Sequence, residues 1–148
     1  MEEYINQIIQ GDCLEVMKQL PDKCIDVVLT DPPYGIGVGK NHRANTQHGK
    51  ALAMSKDYGF EEWDNKIPSR EYFDEMLRVS KNQIIFGGNY FVEYLKNSPC
   101  WIVWDKDNGN NGYADCELIW TSFSSAVRKI KYRWFGMLQE EMKNKEIR

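Results

Sequence analysis

The strongest constraint in the sequence is a short apolar run that stops on two prolines: Cys24 to Thr30 (CIDVVLT) is followed at once by Asp31-Pro32-Pro33-Tyr34. The run is continuous enough to be a strand covered on both faces, as in a parallel sheet. Pro33 has no N–H and holds Pro32 extended, so the ladder ends abruptly and the Pro32 carbonyl can point outward as a fixed acceptor. In open α/β sheets ligands bind beyond the carboxyl ends of strands, which makes this corner the first candidate site.

Around that corner strand and helix signals alternate. Tyr4 to Ile9 reads as a short strand ending at Gly11. Asp12 then caps a helix through Leu20, with Glu15 at its third position and Leu14 and Met17 on its apolar stripe, and Pro21 stops it. Ser69 opens a second helix with Phe73, Met76 and Leu77 on one face. Gln83 to Gly87 is the next strand, Asn89 to Lys96 a short helix, and Cys100 to Asp105 and Cys116 to Thr121 are further strands. Ile130, Tyr132 and Trp134 alternate with Lys129, Lys131 and Arg133, the period of a half-buried strand, and the tail from Met137 has helical propensity. The pattern predicts one α/β domain over residues 1–148, built on an open, largely parallel sheet, with a long mobile loop over 35–65.

The chemistry is concentrated at the tetrapeptide. Asp31 and the Pro32 carbonyl are two rigid acceptors beside the flat ring of Tyr34. Together they would hold an exocyclic amino group by its two N–H bonds while the attached base stacks on the ring. Such an amine is a poor nucleophile because its lone pair is delocalised. Acceptors that draw its hydrogens out of plane localise that pair, and Asp31 can stabilise the positive charge that develops as a methyl group arrives. A paired base cannot reach this corner from inside a duplex, so it must be flipped out or offered on a single strand.

Charge and cysteine usage narrow the rest. The net charge is −3, yet no Asp or Glu occurs from Gly35 to Lys56, which holds Lys40, Arg43 and Lys50, or from Leu118 to Gln139, which holds Arg128, Lys129, Lys131 and Arg133. Two stretches without counter-charge let an acidic protein present a basic surface to a polyanion. Cys13, Cys24, Cys100 and Cys116 form no CxxC pair, so buried, reduced thiols are expected. His42 and His48 lie in a polar loop with no cysteine or carboxylate nearby, which argues against a metal site. The acidic N-terminus has no apolar core of a signal peptide and no run approaches a membrane span, so the expected location is the cytoplasm.

DPPY, preceded by GDCLEVMKQLPDKCIDVVLT and followed by FGGNYF, WIVWDK and ELIWTSF, resembles the amino-methylating DNA methyltransferases of the permuted (β-class) arrangement, which act on adenine N6 or cytosine N4. The resemblance implies a Rossmann-like sheet, S-adenosylmethionine as cofactor and DNA as partner, and aspartate at the first motif position favours adenine N6. It also implies that Asp31, Pro32, Pro33 and Tyr34 are the target-amine and base-stacking residues. Asp12 and Cys13, with Asp31, would meet the cofactor. The family continues past the counterpart of Arg148 into a TQKP-like segment, a glycine-rich loop and a ribose-binding acid, none of which occurs in these 148 residues. The chain is therefore expected to be the N-terminal catalytic half, its sheet either incomplete and completed by a C-terminal half or by another copy of itself, or closed up, and to be inactive or weak alone.

Three alternatives stay open. The acceptor pocket could serve RNA or another amine or amide, and the basic stretches could belong to a non-catalytic nucleic-acid-binding remnant. Phe86-Gly87-Gly88-Asn89 follows a strand and precedes Asp105 by seventeen residues from Gly88, the spacing of a nucleotide cradle with its ribose acid.

Overall fold

In the computed structural model, residues 4–37, 64–107, 114–135 and 138–139 are described. Five strands make one open sheet: β1 (Ile25–Thr30), β2 (Ser80–Ile85), β3 (Trp101–Asp105), β4 (Cys116–Thr121) and β5 (Arg128–Lys131), in spatial order β1-β2-β4-β3-β5. β1 runs parallel to β2 and β3 to β5, while β4 is antiparallel to both neighbours. The sheet is therefore partly parallel, a correction to the expectation of a largely parallel one. The chain returns from β3 directly into β4 as an antiparallel neighbour, which needs no helical crossover. Two further short strands, β6 (Trp134–Phe135) and β7 (Leu138–Gln139), pair with each other where a helical tail was expected from Met137.

Helix α1 (Cys13–Lys18) starts where the sequence places its cap: Asp12 accepts from the Leu14 N–H at 2.8 Å. Glu15 closes no capping box and instead pairs with Lys18 at 3.0 Å. Helix α2 (Arg70–Val79), capped by Ser69, buries Phe73, Met76 and Val79. Phe73 and Met76 join Ile85, Phe91 and Trp120 in the core, with Val28 and Trp101 packed against it. Arg78, at the end of α2, ties the two helices together: it donates to the carbonyls of Met17 and Leu20 and pairs with Glu75 and Asp22. The carbonyls freed at the end of α1 thus gain a cation, which also suits the helix dipole. Lys23 does the same for α2, donating to the carbonyls of Leu77 and Ser80.

Several expectations are corrected here. Tyr4 to Ile9 is not a strand: the chain turns at Asn6 (φ 58°), and Ile8 is fully exposed. A strand needs a ladder partner, and among the described residues this segment has none. β1 is not covered on both faces. It is an edge strand, so Val27 and Leu29, which share a face, are 45% and 65% exposed. Asn89 to Lys96 is not a helix but a 3₁₀ turn at Gly88–Tyr90 followed by further turns, because Phe91 dives into the core and breaks the helical path. β5 is exposed along its whole length, Ile130 included, since it closes the other edge with little on either face. Of the four free cysteines only Cys100 is buried; Cys13 sits at an exposed helix start and Cys116 at an exposed strand start.

Phe73 is fully buried and touches the rings of Tyr72, Phe91 and Tyr94. Replacing it by alanine leaves a cavity between α2 and the sheet, and we expect a loss of about 3–5 kcal/mol in denaturant unfolding. A loss below about 1 kcal/mol would mean that the core lies elsewhere.

Candidate active site

Strand direction decides what meets at the site. The carboxyl ends of the parallel strands β1, β2 and β3 lie at one end of the sheet, and the antiparallel β4 begins there. Asp31 follows β1, Gly87 follows β2, Lys106 follows β3, and Glu117 stands at the start of β4. In this order β2 lies between β1 and β4, so any side chain reaching from β1 to β4 must pass over the end of β2.

Tyr34 makes that crossing. Its hydroxyl is 2.6 Å from Asp31 Oδ1 and 2.5 Å from Glu117 Oε1. The ring passes so close to Gly87 that a Cβ there would stand 2.2 Å from Tyr34 Cε1, and Gly87 has φ 63°, a left-handed backbone that glycine alone adopts without strain. Gly88 is equally constrained, since a Cβ would come within 2.5 Å of the Trp120 Cβ. These glycines are filled by side chains of the protein itself, which removes the reading of Phe86-Gly87-Gly88-Asn89 as a nucleotide cradle. The turn at Gly88–Tyr90 is also too short to serve as the helix such a cradle opens.

The rest of the tetrapeptide is held from below. Pro32 is buried, Pro33 and Tyr34 are half-buried and Asp31 is exposed. The ladder runs up to the Thr30 carbonyl, which accepts from the Phe86 N–H at 3.0 Å, and stops there. Among the described residues the Pro32 carbonyl has no hydrogen-bond partner. The buried Asp64 carboxylate accepts from the N–H groups of Tyr34 and Gly35 at 2.8 and 3.0 Å, and the Gly37 N–H donates to the Asp64 carbonyl. Asp64 thus pins the backbone on which the tyrosine turns. Tyr34 stacks on Tyr90 with ring centroids 4.7 Å apart and 13° between planes. Tyr90 is 42% exposed, so the flat surface offered at this corner belongs to the pair rather than to Tyr34 alone.

Charge organises the same end of the sheet. Glu117 uses its second oxygen to pair with Lys106 at 2.7 Å, and the Lys106 ammonium lies 5.3 Å from the Trp104 ring centroid. Burial, then the Asp31 and Glu117 carboxylates, push the Tyr34 phenol far above its ordinary value, so it stays protonated. Tyr72 shares a 3.2 Å hydrogen bond with the Thr30 hydroxyl, and burial raises its phenol above the ordinary value although that hydrogen bond works against the shift.

The other predicted residues fall into two groups. Lys40, Arg43 and Lys50 lie outside the described residues, as do His42, His48 and most of the 35–65 loop. On β5 and beyond, Lys129 pairs with Asp105 at 2.8 Å, and Lys131 and Arg133 pair with Asp107 at 2.9 and 2.8 Å; Arg128 donates to Ser125. The acid-free stretch is thus not without counter-charge, because β3 lies beside β5 and delivers its aspartates. Lys129, and for Asp107 both Lys131 and Arg133, hold these carboxyls below the ordinary carboxylate range. Among the described residues there is no group of three or more His, Cys, Asp or Glu able to hold a metal, and no helix long and apolar enough to cross a membrane. Sequence reasoning missed Asp64, Tyr90 and Glu117, and gave Gly87 another role, that of a nucleotide cradle; the available signals were the Gly-Gly at a strand end and a lone carboxylate in the otherwise apolar CELIW run.

Gly87→Ala places a methyl group inside the space of Tyr34 and in a left-handed backbone. We expect a loss of roughly 2 kcal/mol or more in unfolding free energy and a weakened near-UV signal from the Tyr34 and Tyr90 pair. The double variant with Tyr34→Ala should recover the steric part. Unchanged stability in Gly87→Ala would contradict the crossing.

No family model matches the chain. It is 28% identical over 127 residues to the Type II methyltransferase M.HinfI of Haemophilus influenzae, covering 73% of this chain and 33% of that protein. It is 28% identical over 98 residues to the Type II methyltransferase M.BamHI of Bacillus amyloliquefaciens, covering 66% of this chain and 18% of that protein. The chain thus spans about a third and about a fifth of the length of these relatives. Together these similarities support a methyltransferase relationship for the α/β chain described here.

Proposed function

We propose that this chain carries the amine-binding portion of a Rossmann-like, S-adenosylmethionine-dependent DNA methyltransferase that modifies adenine at N6. The observation that carries the reading is the exposed Asp31 carboxylate at the end of β1, set beside the buried Pro32, whose carbonyl has no partner among the described residues, and a stacked pair of tyrosines. An adenine amino group has two N–H donors. Asp31 and the Pro32 carbonyl would accept them, and the base plane would lie against the exposed Tyr90 face. A bound S-adenosylmethionine would supply the methyl group and leave as the neutral thioether when its carbon–sulfur bond breaks; Asp31 would stabilise the positive charge growing on the nitrogen and accept the N–H proton that the methylated amine gives up, passing it to the solvent it faces. The similarity to two Type II methyltransferases supports the reaction class, and the resemblance of the DPPY, FGGNYF and ELIWTSF motifs to amino-methylating DNA methyltransferases makes duplex DNA the first substrate to test. Backbone positioning is assigned to Arg128, Lys129, Lys131 and Arg133 with Lys40, Arg43 and Lys50; phosphates would have to displace Asp105 and Asp107 from the first group.

The cofactor fits only in part. Asp12 spends one oxygen on the cap of α1 and Cys13 is exposed, so this corner offers one edge of a purine and little enclosure. The methyl donor's electrophilic carbon must be placed by elements beyond those described. We therefore expect no micromolar S-adenosylmethionine binding by this chain alone in calorimetric titration, and micromolar affinity would contradict that expectation.

Supplied with a C-terminal half from a relative and with methyl-labelled cofactor, the chain should label DNA, and Asp31→Ala should reduce labelling by about a hundredfold or more. Label appearing in RNA or protein instead would favour a different acceptor. DNA binding without any label would favour the non-catalytic reading.

A further inference from the structure

One feature of the corner is not needed to hold an amine. The Tyr34 hydroxyl has one proton, yet it stands within hydrogen-bond distance of two carboxylates, Asp31 Oδ1 at 2.6 Å and Glu117 Oε1 at 2.5 Å. A hydroxyl donates one bond at a time, so only one carboxylate can receive it. The two acceptors differ in their surroundings. Asp31 is exposed and has no other hydrogen-bond partner among the described residues, whereas the Glu117 side chain is 15% exposed and already held by Lys106 at 2.7 Å. Lys106 is in turn placed by the Trp104 ring. Glu117 is therefore fixed whichever way the proton points, while Asp31 is the acceptor open to solvent and to a ligand.

Resting on the amine-binding reading above, we infer that Glu117 is a positioning residue: it is the alternative acceptor for the Tyr34 proton and so frees Asp31 for the incoming amino group. With the corner empty, the phenol can donate to Asp31. A carboxylate that already accepts from a phenol is a weaker acceptor for a second donor, because the first bond draws charge from both oxygens. When an N–H₂ group arrives, the hydroxyl rotates about its C–O bond to Glu117. No heavy atom moves, no proton leaves oxygen, and Asp31 presents its full charge to the amine. The phenol proton is retained throughout, since burial and the two carboxylates all disfavour its loss. Without Glu117 the phenol has only Asp31 to turn to and competes with the ligand.

The competition can be read without catalysis. Two fluorescent single-stranded oligonucleotides that differ at one base, adenine in one and the same purine without its amino group in the other, report the amino group's share of binding as a ratio of affinities. Wild-type chain should prefer the adenine strand by about three- to tenfold, the worth of one hydrogen bond. Glu117→Ala should lose most of that preference. Adding Tyr34→Phe to Glu117→Ala removes the competing proton and should restore the preference, a rescue that a misfolded or merely loosened Glu117→Ala could not give. Wild-type chain with no preference overturns the amine reading and this inference with it. A wild-type preference that Glu117→Ala leaves intact, or a loss that Tyr34→Phe does not rescue, overturns this inference alone.

Discussion

The passage of the Tyr34 ring over the end of β2 is the contact on which the candidate site depends. It is possible because Gly87 has no side chain and takes a left-handed backbone, and because Asp64 holds the N–H groups of Tyr34 and Gly35 from beneath. From that crossing follows the meeting of Asp31, Tyr34 and Glu117, which come from β1 and from β4, strands that never touch in the sheet. A strand order with β4 beside β1 would need no crossing; one with β4 parallel to β2 would put Glu117 at the far end. The mixed direction of the sheet is thus part of the site's design, because it brings the start of β4 to the ends of β1, β2 and β3.

The same geometry separates the charges that act from the charges that hold. Lys106 fixes Glu117, and Arg78 and Lys23 bind the helix ends, each cation meeting a carboxylate or a backbone carbonyl. Lys129, Lys131 and Arg133 are met by Asp105 and Asp107. Among the described residues Asp31 stands apart as a carboxylate that meets only a phenol, at an exposed position. A group left in that state at a strand end is suited to accept from something that arrives.

Much of this was legible in the sequence, for physical reasons that can be named. The apolar run and its prolines mark β1 and its end, Asp12 and Ser69 mark both helix starts, and Phe73 and Met76 follow from helical spacing. What the sequence did not reveal depends on neighbours. The exposure of Val27 and Leu29 follows from β1 lying at an edge, and the loss of the Tyr4 to Ile9 strand from its having no partner among the described residues. Asp105 and Asp107 reach Lys129, Lys131 and Arg133 only because β3 lies beside β5, so a window of sequence without acids does not imply a surface without them. Glu117 and Gly87 belong to the corner through the crossing of Tyr34, which no local pattern encodes.

The most direct measurement is to locate a bound base. Photocrosslinking single-stranded DNA that carries one 8-azidoadenine, followed by mass spectrometry of the attached peptide, tests whether a purine enters this corner. Attachment to the peptide containing Asp31 to Tyr34 or to Tyr90, suppressed by competing unmodified adenine strands, is the predicted result. Attachment confined to Arg128 through Arg133 or to other peptides, with the Asp31 corner unlabelled, would show that the chain binds DNA without receiving a base there.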